Sequence, residues 1–151
     1  MKRNAFLLIA MLLSGVVASA QSSVNQKRRL TALRMEERIA IDGVLNEQVW
    51  ANAAIAADFV QTSPVPAAAS GFASQVKVIY DNTGIYIGAQ LLDPRPDSIL
   101  QELTQRDRLG NTDVFGVFID AYQDGLNGLG FLVTPTGVQV DLKIAPVSGG
   151  D

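Results

Sequence analysis

The side chains best suited to chemistry in this 151-residue chain are acids, amides and one Arg-Asp pair in its second half. Side chains of these types make directional hydrogen bonds to ligand hydroxyl groups, and a few of them suffice to orient a ligand in a cleft. Six residues are therefore candidate ligand-binding residues: Arg106, Asp107, Tyr122, Asp124, Asn127 and Gln139. For each of them, the alternative interpretation is a turn residue or a solvated polar face.

The same region contains part of a calcium-binding pattern. Asp120, Asp124 and Gly125 fall at the first, fifth and sixth positions of a calcium loop, but Tyr122 and Phe131 occupy two positions that need oxygen ligands. An EF-hand is therefore excluded. The remaining metal hypothesis is a structural calcium ion held by three aspartates from different strands, which are Asp107, Asp113 and Asp120. No other cofactor is expected.

The chain has no cysteine and no histidine. Their absence excludes Ser-His-Asp and Cys-His catalysis, structural zinc sites, His-ligated haem and disulfide stabilisation. Glycoside hydrolysis needs only two carboxyl groups, one of them with a raised pKa. Asp120, at the end of VFGVFID, is the one acid in an apolar setting. We therefore predict that the chain is not an enzyme.

The first 20 residues predict a secretory signal peptide. Lys2 and Arg3 precede an apolar run, and Ala18-Ser19-Ala20 is typical of a cleavage site. Cleavage after Ala20 places the protein in the periplasm, at the outer membrane or outside the cell; an uncleaved anchor is the alternative. Residues 21–29 read as a disordered arm, and residues 30–151 as one domain.

The charge of the mature chain disfavours nucleic acid and anionic membranes as partners. Loss of Lys2 and Arg3 leaves 10 basic against 15 acidic side chains, a net charge of −5. The cluster Lys27-Arg28-Arg29 is interpreted as part of a solvated linker, with a binding patch as the alternative.

The elements that must position these residues are mostly short strands. In IAIDGVLNEQVW, residues 39–50, an alternating run is turned by Asp42-Gly43 and followed by a short helix that carries Trp50, the only tryptophan. We assign Asp42, Gly43 and Trp50 structural roles, with Trp50 as core filler; a sugar-stacking platform is the alternative for its ring. VKVIYDNTGIYIGAQLLD predicts a hairpin turned at residues 81–84.

About eight short strands, with turn residues at regular intervals, predict an antiparallel β-sandwich with one or two short helices. Residues 114–122 are apolar on both faces and predict a central strand. Residues 97–103 predict a short helix. No strand follows residues 145–151, so we expect the domain to be truncated at its C-terminus; a natural flexible tail is the alternative.

The order of several motifs resembles one family. IDGVLNEQVW, the hairpin above, Arg106-Asp107 and DVFGVFIDAYQDGLNGLGFLVTPTGVQVD together resemble the carbohydrate-binding module family 9-like domain. The resemblance runs from about Leu30 to Asp141. It is to the form found near the N-terminus of large secreted Bacteroidetes-type proteins, in which a barrel-like domain of unknown function follows.

The resemblance implies an immunoglobulin-like sandwich, export, and binding of a polysaccharide or oligosaccharide that assists polysaccharide catabolism. Docking against the barrel-like C-terminal domain of the parent protein, without a sugar site, is the alternative function. Two departures from the family pattern matter. Asn46 replaces the usual aspartate and is expected still to cap the helix. The second tryptophan of a sugar-gripping pair is absent.

Overall fold

The computed structural model describes residues 28–146 and shows an all-β sandwich built from two sheets. All of its elements lie in the compact unit that begins at Thr31. In chain order they are β1 (Leu33–Arg34), α1 (Gln48–Asn52), β2 (Ile55–Ala56), β3 (Ser74–Tyr80), β4 (Ile85–Leu91), a 3-10 helix (Pro96–Ser98), β5 (Phe115–Ile119), β6 (Gly128–Val133) and β7 (Gln139–Ile144). The predicted fold class is confirmed.

The first sheet is organised around β3. Strand β4 pairs with it antiparallel along its whole length, from Ser74↔Leu91 to Tyr80↔Ile85. The short strands β1 and β2 share the other edge of β3, where Leu33 pairs with Ile79 and Ile55 pairs with Lys77. The β1 pairing is parallel, which departs from the all-antiparallel prediction. A long connection containing α1 separates β1 from β3, and such a connection permits parallel pairing.

The β3–β4 hairpin has the turn that its sequence predicts. The Asp81 carboxylate accepts hydrogen bonds from the backbone N–H groups of Thr83 and Gly84, at 2.7 and 2.9 Å, and from the Thr83 hydroxyl. The Thr83 hydroxyl, followed by its backbone N–H, lowers the pKa of Asp81 because these donors stabilise the charged form. The turn therefore fixes the register of the longest hairpin in the described part of the chain.

The main apolar cluster lies between α1 and the first sheet. Its buried members are Met35, Val49, Trp50, Ala53 and Ile79. Ile79 is fully buried, which contributes about 2 kcal/mol by the usual transfer free energy. Trp50 is 4% exposed, so its ring is filler between the helix and the sheet. The chain has no disulfide bonds, so burial of this kind must supply the stability that a cross-link would otherwise add.

Helix α1 is held at both ends by side chains from elsewhere. The Glu37 carboxylate accepts a hydrogen bond from the Val49 N–H at 3.0 Å, and the Lys77 ammonium donates to the Trp50 carbonyl at 2.6 Å. An acid at the N-terminus and a cation at the C-terminus both complement the helix dipole. The N-cap position is occupied by Glu47, whose side chain does not cap the helix. The prediction that Asn46 caps it is therefore wrong.

The second sheet has the order β5-β6-β7, and both pairings are antiparallel. The prediction of a central strand at residues 114–122 is wrong in two respects. The strand is shorter, and among residues 28–146 only β6 pairs with it, so it lies at an edge. Apolar residues on both faces indicate a strand, but they do not reveal which strand edges are paired.

Two further element predictions fail locally. Residues 38–41 form no strand, and the helix expected at residues 97–103 is reduced to the 3-10 helix.

The predicted signal peptide and the arm up to residue 27 lie outside the described residues. Within the described range, no helix combines the length and the apolar character needed to cross a bilayer.

Candidate functional site: a cleft beside Arg106

Three of the predicted ligand-binding residues meet at the start of β7. The Arg106 guanidinium donates one hydrogen bond to the Gln139 side-chain oxygen at 2.7 Å and another to the Asp141 carboxylate. Its Nε lies 3.7 Å from a carboxylate oxygen of Asp107. Sequence alternation places Gln139 and Asp141 on the same face of β7, two residues apart. The planar guanidinium fits this pair because it carries several donors in a fixed geometry.

Asp107 attaches the loop that contains Arg106 to strand β7. Its backbone N–H donates to the Gln139 carbonyl at 3.0 Å, and its side chain accepts from the Asp141 N–H at 3.1 Å. The residue has a φ of 62°, a left-handed conformation that aspartate tolerates better than most residues. The loop therefore mimics one more strand pairing, and this contact fixes the position of Arg106.

The side chains of Arg106, Asp107 and Asp141 are all about half exposed, at 54–56%. Exposed ion pairs contribute little to stability because water screens them. The same exposure leaves guanidinium N–H groups and carboxylate oxygens accessible to a ligand. The arrangement is thus a solvent-exposed set of donors and acceptors that are hydrogen-bonded to one another.

A cleft of about 330 Å³ opens beside this set. Arg106 and Gln139 form its polar wall, and Leu103, Thr104 and Thr136 line the rest. We call it the Arg106 cleft. Leu103 is 78% exposed and presents an apolar surface next to the polar groups. Sequence reasoning missed Leu103, Thr104 and Thr136, because only the fold brings residues 103–106 next to the β6–β7 turn. It also missed Asp141 as the partner of Arg106, although the strict alternation of VQVDLK was a usable signal.

The other predicted ligand-binding residues lie in the β5–β6 loop. Asp124 accepts hydrogen bonds from the backbone N–H groups of Leu126 and Asn127, both at 2.8 Å, and from the Asn127 side chain at 2.7 Å. The donors from Asn127, backbone first, lower the pKa of Asp124. Tyr122 is 78% exposed. Asp124 and Asn127 therefore hold the loop in shape, and Tyr122 is its most exposed large apolar side chain, ahead of Leu126 at 58%.

This loop and the Arg106 cleft lie at different ends of the second sheet. The loop leads into Gly128, which pairs with Ile144 at the end of β7, whereas Gln139 is at the beginning of β7. Gln139 and Ile144 are five steps apart along an extended strand, a span of about 17 Å. The structure therefore does not bring Tyr122, Asp124 and Asn127 together with Arg106.

The three aspartates considered for calcium are also apart. Asp107 bonds to the Asp141 N–H, Asp113 accepts from the Leu100 N–H at 3.2 Å, and Asp120 accepts from the Gly125 N–H at 2.9 Å. Each carboxylate thus belongs to a separate local turn or loop. Within residues 28–146 no group of three or more acidic side chains is positioned to hold a metal ion.

The residues assigned structural roles occupy the segment that leads into α1. Asp42 accepts a hydrogen bond from the Val44 N–H at 2.9 Å. Gly43 has a φ of 81°, which glycine adopts without strain. Together they form the turn that delivers Trp50 into the core.

The family described as carbohydrate family 9 binding domain-like matches residues 41–127, which is 87 of the 151 residues. The chain belongs to this family. No curated protein and no solved structure matches it. As a member of the carbohydrate family 9 binding domain-like family, the chain is of a type that binds carbohydrate and is generally non-catalytic.

The match to this family covers Trp50, the β3–β4 hairpin and Arg106, but it ends before β6. Gln139 and Asp141, the partners of Arg106, lie beyond it. The Arg106 cleft is thus lined by Leu103, Thr104 and Arg106 from inside the matched segment and by residues 136–139 from outside it.

Proposed function

We propose that this chain is a non-catalytic carbohydrate-binding domain and that its sugar site is the Arg106 cleft. The observation that carries the proposal is the Arg106 guanidinium held against Gln139 and Asp141 at the edge of a cleft. Sugar hydroxyl groups both donate and accept hydrogen bonds, so a fixed mixture of guanidinium, amide and carboxylate suits them. Leu103 offers an apolar surface to the C–H face of the ring.

The cleft has no aromatic ring among its described lining residues, and this affects the expected affinity. Stacking of a sugar ring on indole is replaced here by contact with Leu103, which has no π face. We therefore expect weak binding, with specificity determined mainly by hydrogen bonds.

The proposal that the domain is not an enzyme has support from its acids. A general acid in glycoside hydrolysis needs a raised pKa. The pKa values of Asp81 and Asp124 are both lowered. Hydrogen bonds from nearby N–H and hydroxyl groups cause both shifts, and such bonds favour the charged form rather than a proton donor.

The test is a glycan-array screen with the full chain, followed by calorimetric titration of the best ligand. Arg106→Ala should weaken binding at least about tenfold, or roughly 1.4 kcal/mol. Arg106→Lys should recover only part of it, because an ammonium group cannot reproduce the two-pronged geometry. Arg38→Ala, at an exposed residue that does not line the cleft, is the matched control. Equal affinities for Arg106→Ala and the unaltered chain would reject the cleft as the site.

We also propose that the protein acts after export, in the periplasm or at the outer membrane, in support of polysaccharide breakdown. The basic start, apolar run and Ala18-Ser19-Ala20 motif support this proposal. N-terminal sequencing of the protein recovered from its native compartment should begin at Gln21. Recovery of an intact Met1 terminus in the cytoplasm would contradict it.

The second candidate function is docking against the barrel-like C-terminal domain of a parent protein. The favouring observation is an apolar face on the second sheet, where Phe118 is 60% exposed and Leu142 and Ile144 are 40% and 42% exposed. A titration with that domain distinguishes the candidates. Docking predicts that Phe118→Ser abolishes the interaction and Arg106→Ala preserves it, with no sugar bound by either variant.

A further inference from the structure

A second and larger cleft lies where the ends of β3 and β4 approach β5. Its volume is about 480 Å³, within the usual range of ligand sites. Phe72, Leu91 and Leu92 line one side, and Phe115 and Val133 line the other. We call it the Phe72 cleft. None of the candidate ligand-binding residues identified from the sequence lines it.

The chemistry of the Phe72 cleft suits a sugar ring. Phe72 is 46% exposed, so part of an aromatic ring is accessible for contact with sugar C–H groups. Asp93 and Asp113 lie in the wall. One oxygen of each carboxylate is held by a backbone N–H, of Arg95 at 2.7 Å and of Leu100 at 3.2 Å. The second oxygen of each can accept a hydrogen bond from a ligand hydroxyl group.

The charge of this cleft restricts the ligand. Among the described residues that line it, two are acidic and none is basic. A carboxylated or sulfated sugar placed there would be repelled by Asp93 and Asp113. The cleft therefore favours a neutral sugar.

The two clefts are neighbours. Pro135 lines the Phe72 cleft, and the next residue, Thr136, lines the Arg106 cleft, so about 3.8 Å of backbone separates their walls. The preceding loop is shared in the same way, with Ile99 in one cleft and Leu103 in the other. The Thr136 hydroxyl donates to the Glu102 carbonyl at 3.1 Å and connects the β6–β7 turn to the loop that contains Leu103. The two clefts thus draw on neighbouring residues of the same two loops.

We propose that the Arg106 cleft and the Phe72 cleft are consecutive subsites for one neutral oligosaccharide chain. This inference rests on the proposed function and adds the ligand class to it. Arg106 orients one sugar unit by hydrogen bonds, and Phe72 with Asp93 and Asp113 receives a unit further along the chain, across the Pro135–Thr136 backbone.

The experiment is a calorimetric titration of the full chain with neutral gluco-oligosaccharides, from the monosaccharide to the hexasaccharide. The hexasaccharide should bind at least about tenfold more tightly than the monosaccharide. Phe72→Ala should abolish this gain and leave the monosaccharide affinity unchanged. Asp113→Asn, which keeps an oxygen for the Leu100 N–H, should reduce the same gain. Phe59→Ala is the matched control, because Phe59 is similarly exposed, at 41%, and does not line the cleft.

Three outcomes overturn the inference. Affinity independent of chain length, with Arg106→Ala still damaging, would reject the second subsite and leave the proposed function standing. Equal hexasaccharide affinity for Phe72→Ala and Phe59→Ala would likewise reject it. Absence of binding at every length and across the glycan array would reject the proposed function, and the two-subsite arrangement with it.

Discussion

Gly88 occupies a position in the core where no side chain fits. A Cβ atom there would lie 2.9 Å from both Leu45 methyl groups and 3.0 Å from the Trp50 ring. Glycine in a strand normally costs stability because it packs nothing. Here the missing side chain lets Leu45 and Trp50 approach β4 directly, and this contact seats the helix segment on the sheet.

We predict that Gly88→Ala lowers the free energy of unfolding by about 1–3 kcal/mol, the usual cost of overpacking. Urea unfolding followed by far-ultraviolet circular dichroism would measure it. Gly71→Ala is the control, since nothing lies within 4 Å of a Cβ at that position and its stability should be unchanged or slightly higher. Equal free energies of unfolding for the two variants would show that the core adjusts to a methyl group at Gly88, and would contradict the prediction.

At the same scale, the sequence predicted the site in part. Alternation along β7 places Gln139 and Asp141 on one face, and Arg106 and Gln139 were both candidates before the fold was known. Their contact spans 33 residues of chain, and no local pattern encodes it. Asp124 and Asn127 were candidates for the same reason, but their polar groups bond to their own loop. Residue type alone does not distinguish a ligand contact from a turn.

Among the elements, α1 depends most on distant residues. It has five residues, far fewer than an isolated helix needs for stability in water. Glu37 and Lys77 satisfy backbone groups at its two ends, and Val49 and Trp50 bury its inner face. The helix therefore forms because the first sheet and the preceding loop receive it.

Lys77→Met tests this dependence, because it keeps the apolar stem and removes the ammonium group. We expect a loss of about 1.5–3 kcal/mol, the typical worth of a hydrogen bond to a charged group. Thermal unfolding monitored by circular dichroism would measure it against Lys143→Met, which alters an exposed lysine on β7. A Lys77→Met protein as stable as the Lys143→Met control would contradict this account of the helix.

The elements also show where sequence patterns are sufficient. The β3–β4 hairpin was predictable, because alternation and the turn residues act within 18 consecutive positions. The capping of α1 was not, since Glu37 lies 12 residues before Val49 and Lys77 lies 27 residues after Trp50. The edge position of β5 was not predictable either, because strand order depends on the whole sheet.

In the whole molecule, apolar side chains are more deeply buried at the first sheet than on the second. The main apolar cluster lies at α1 and the first sheet, whereas Phe118, Leu142 and Ile144 remain 40–60% exposed on one face of the second sheet. Phe118 lies over Gly130, where a Cβ would be 2.9 Å from the phenyl ring, and Leu142 flanks the same glycine. The apolar side chains on this face are accessible to apolar molecules from solution.

We therefore predict that the chain enhances the fluorescence of the apolar dye ANS and that Phe118→Ser reduces the enhancement. The serine removes the most exposed large apolar side chain from this face. Tyr122→Ser is the control, because Tyr122 is 78% exposed but lies in the loop outside the sheet. If both variants bind the dye as the unaltered chain does, the dye binds at another surface.

The interior position of Trp50 has a practical consequence for spectroscopy. The chain contains one tryptophan, and it lines neither the Arg106 cleft nor the Phe72 cleft. Its fluorescence emission therefore reports whether the α1 region is folded. Ligand binding in either cleft should leave that emission unchanged. A saccharide that shifted this emission would be reporting a rearrangement of the first sheet, not contact with the indole.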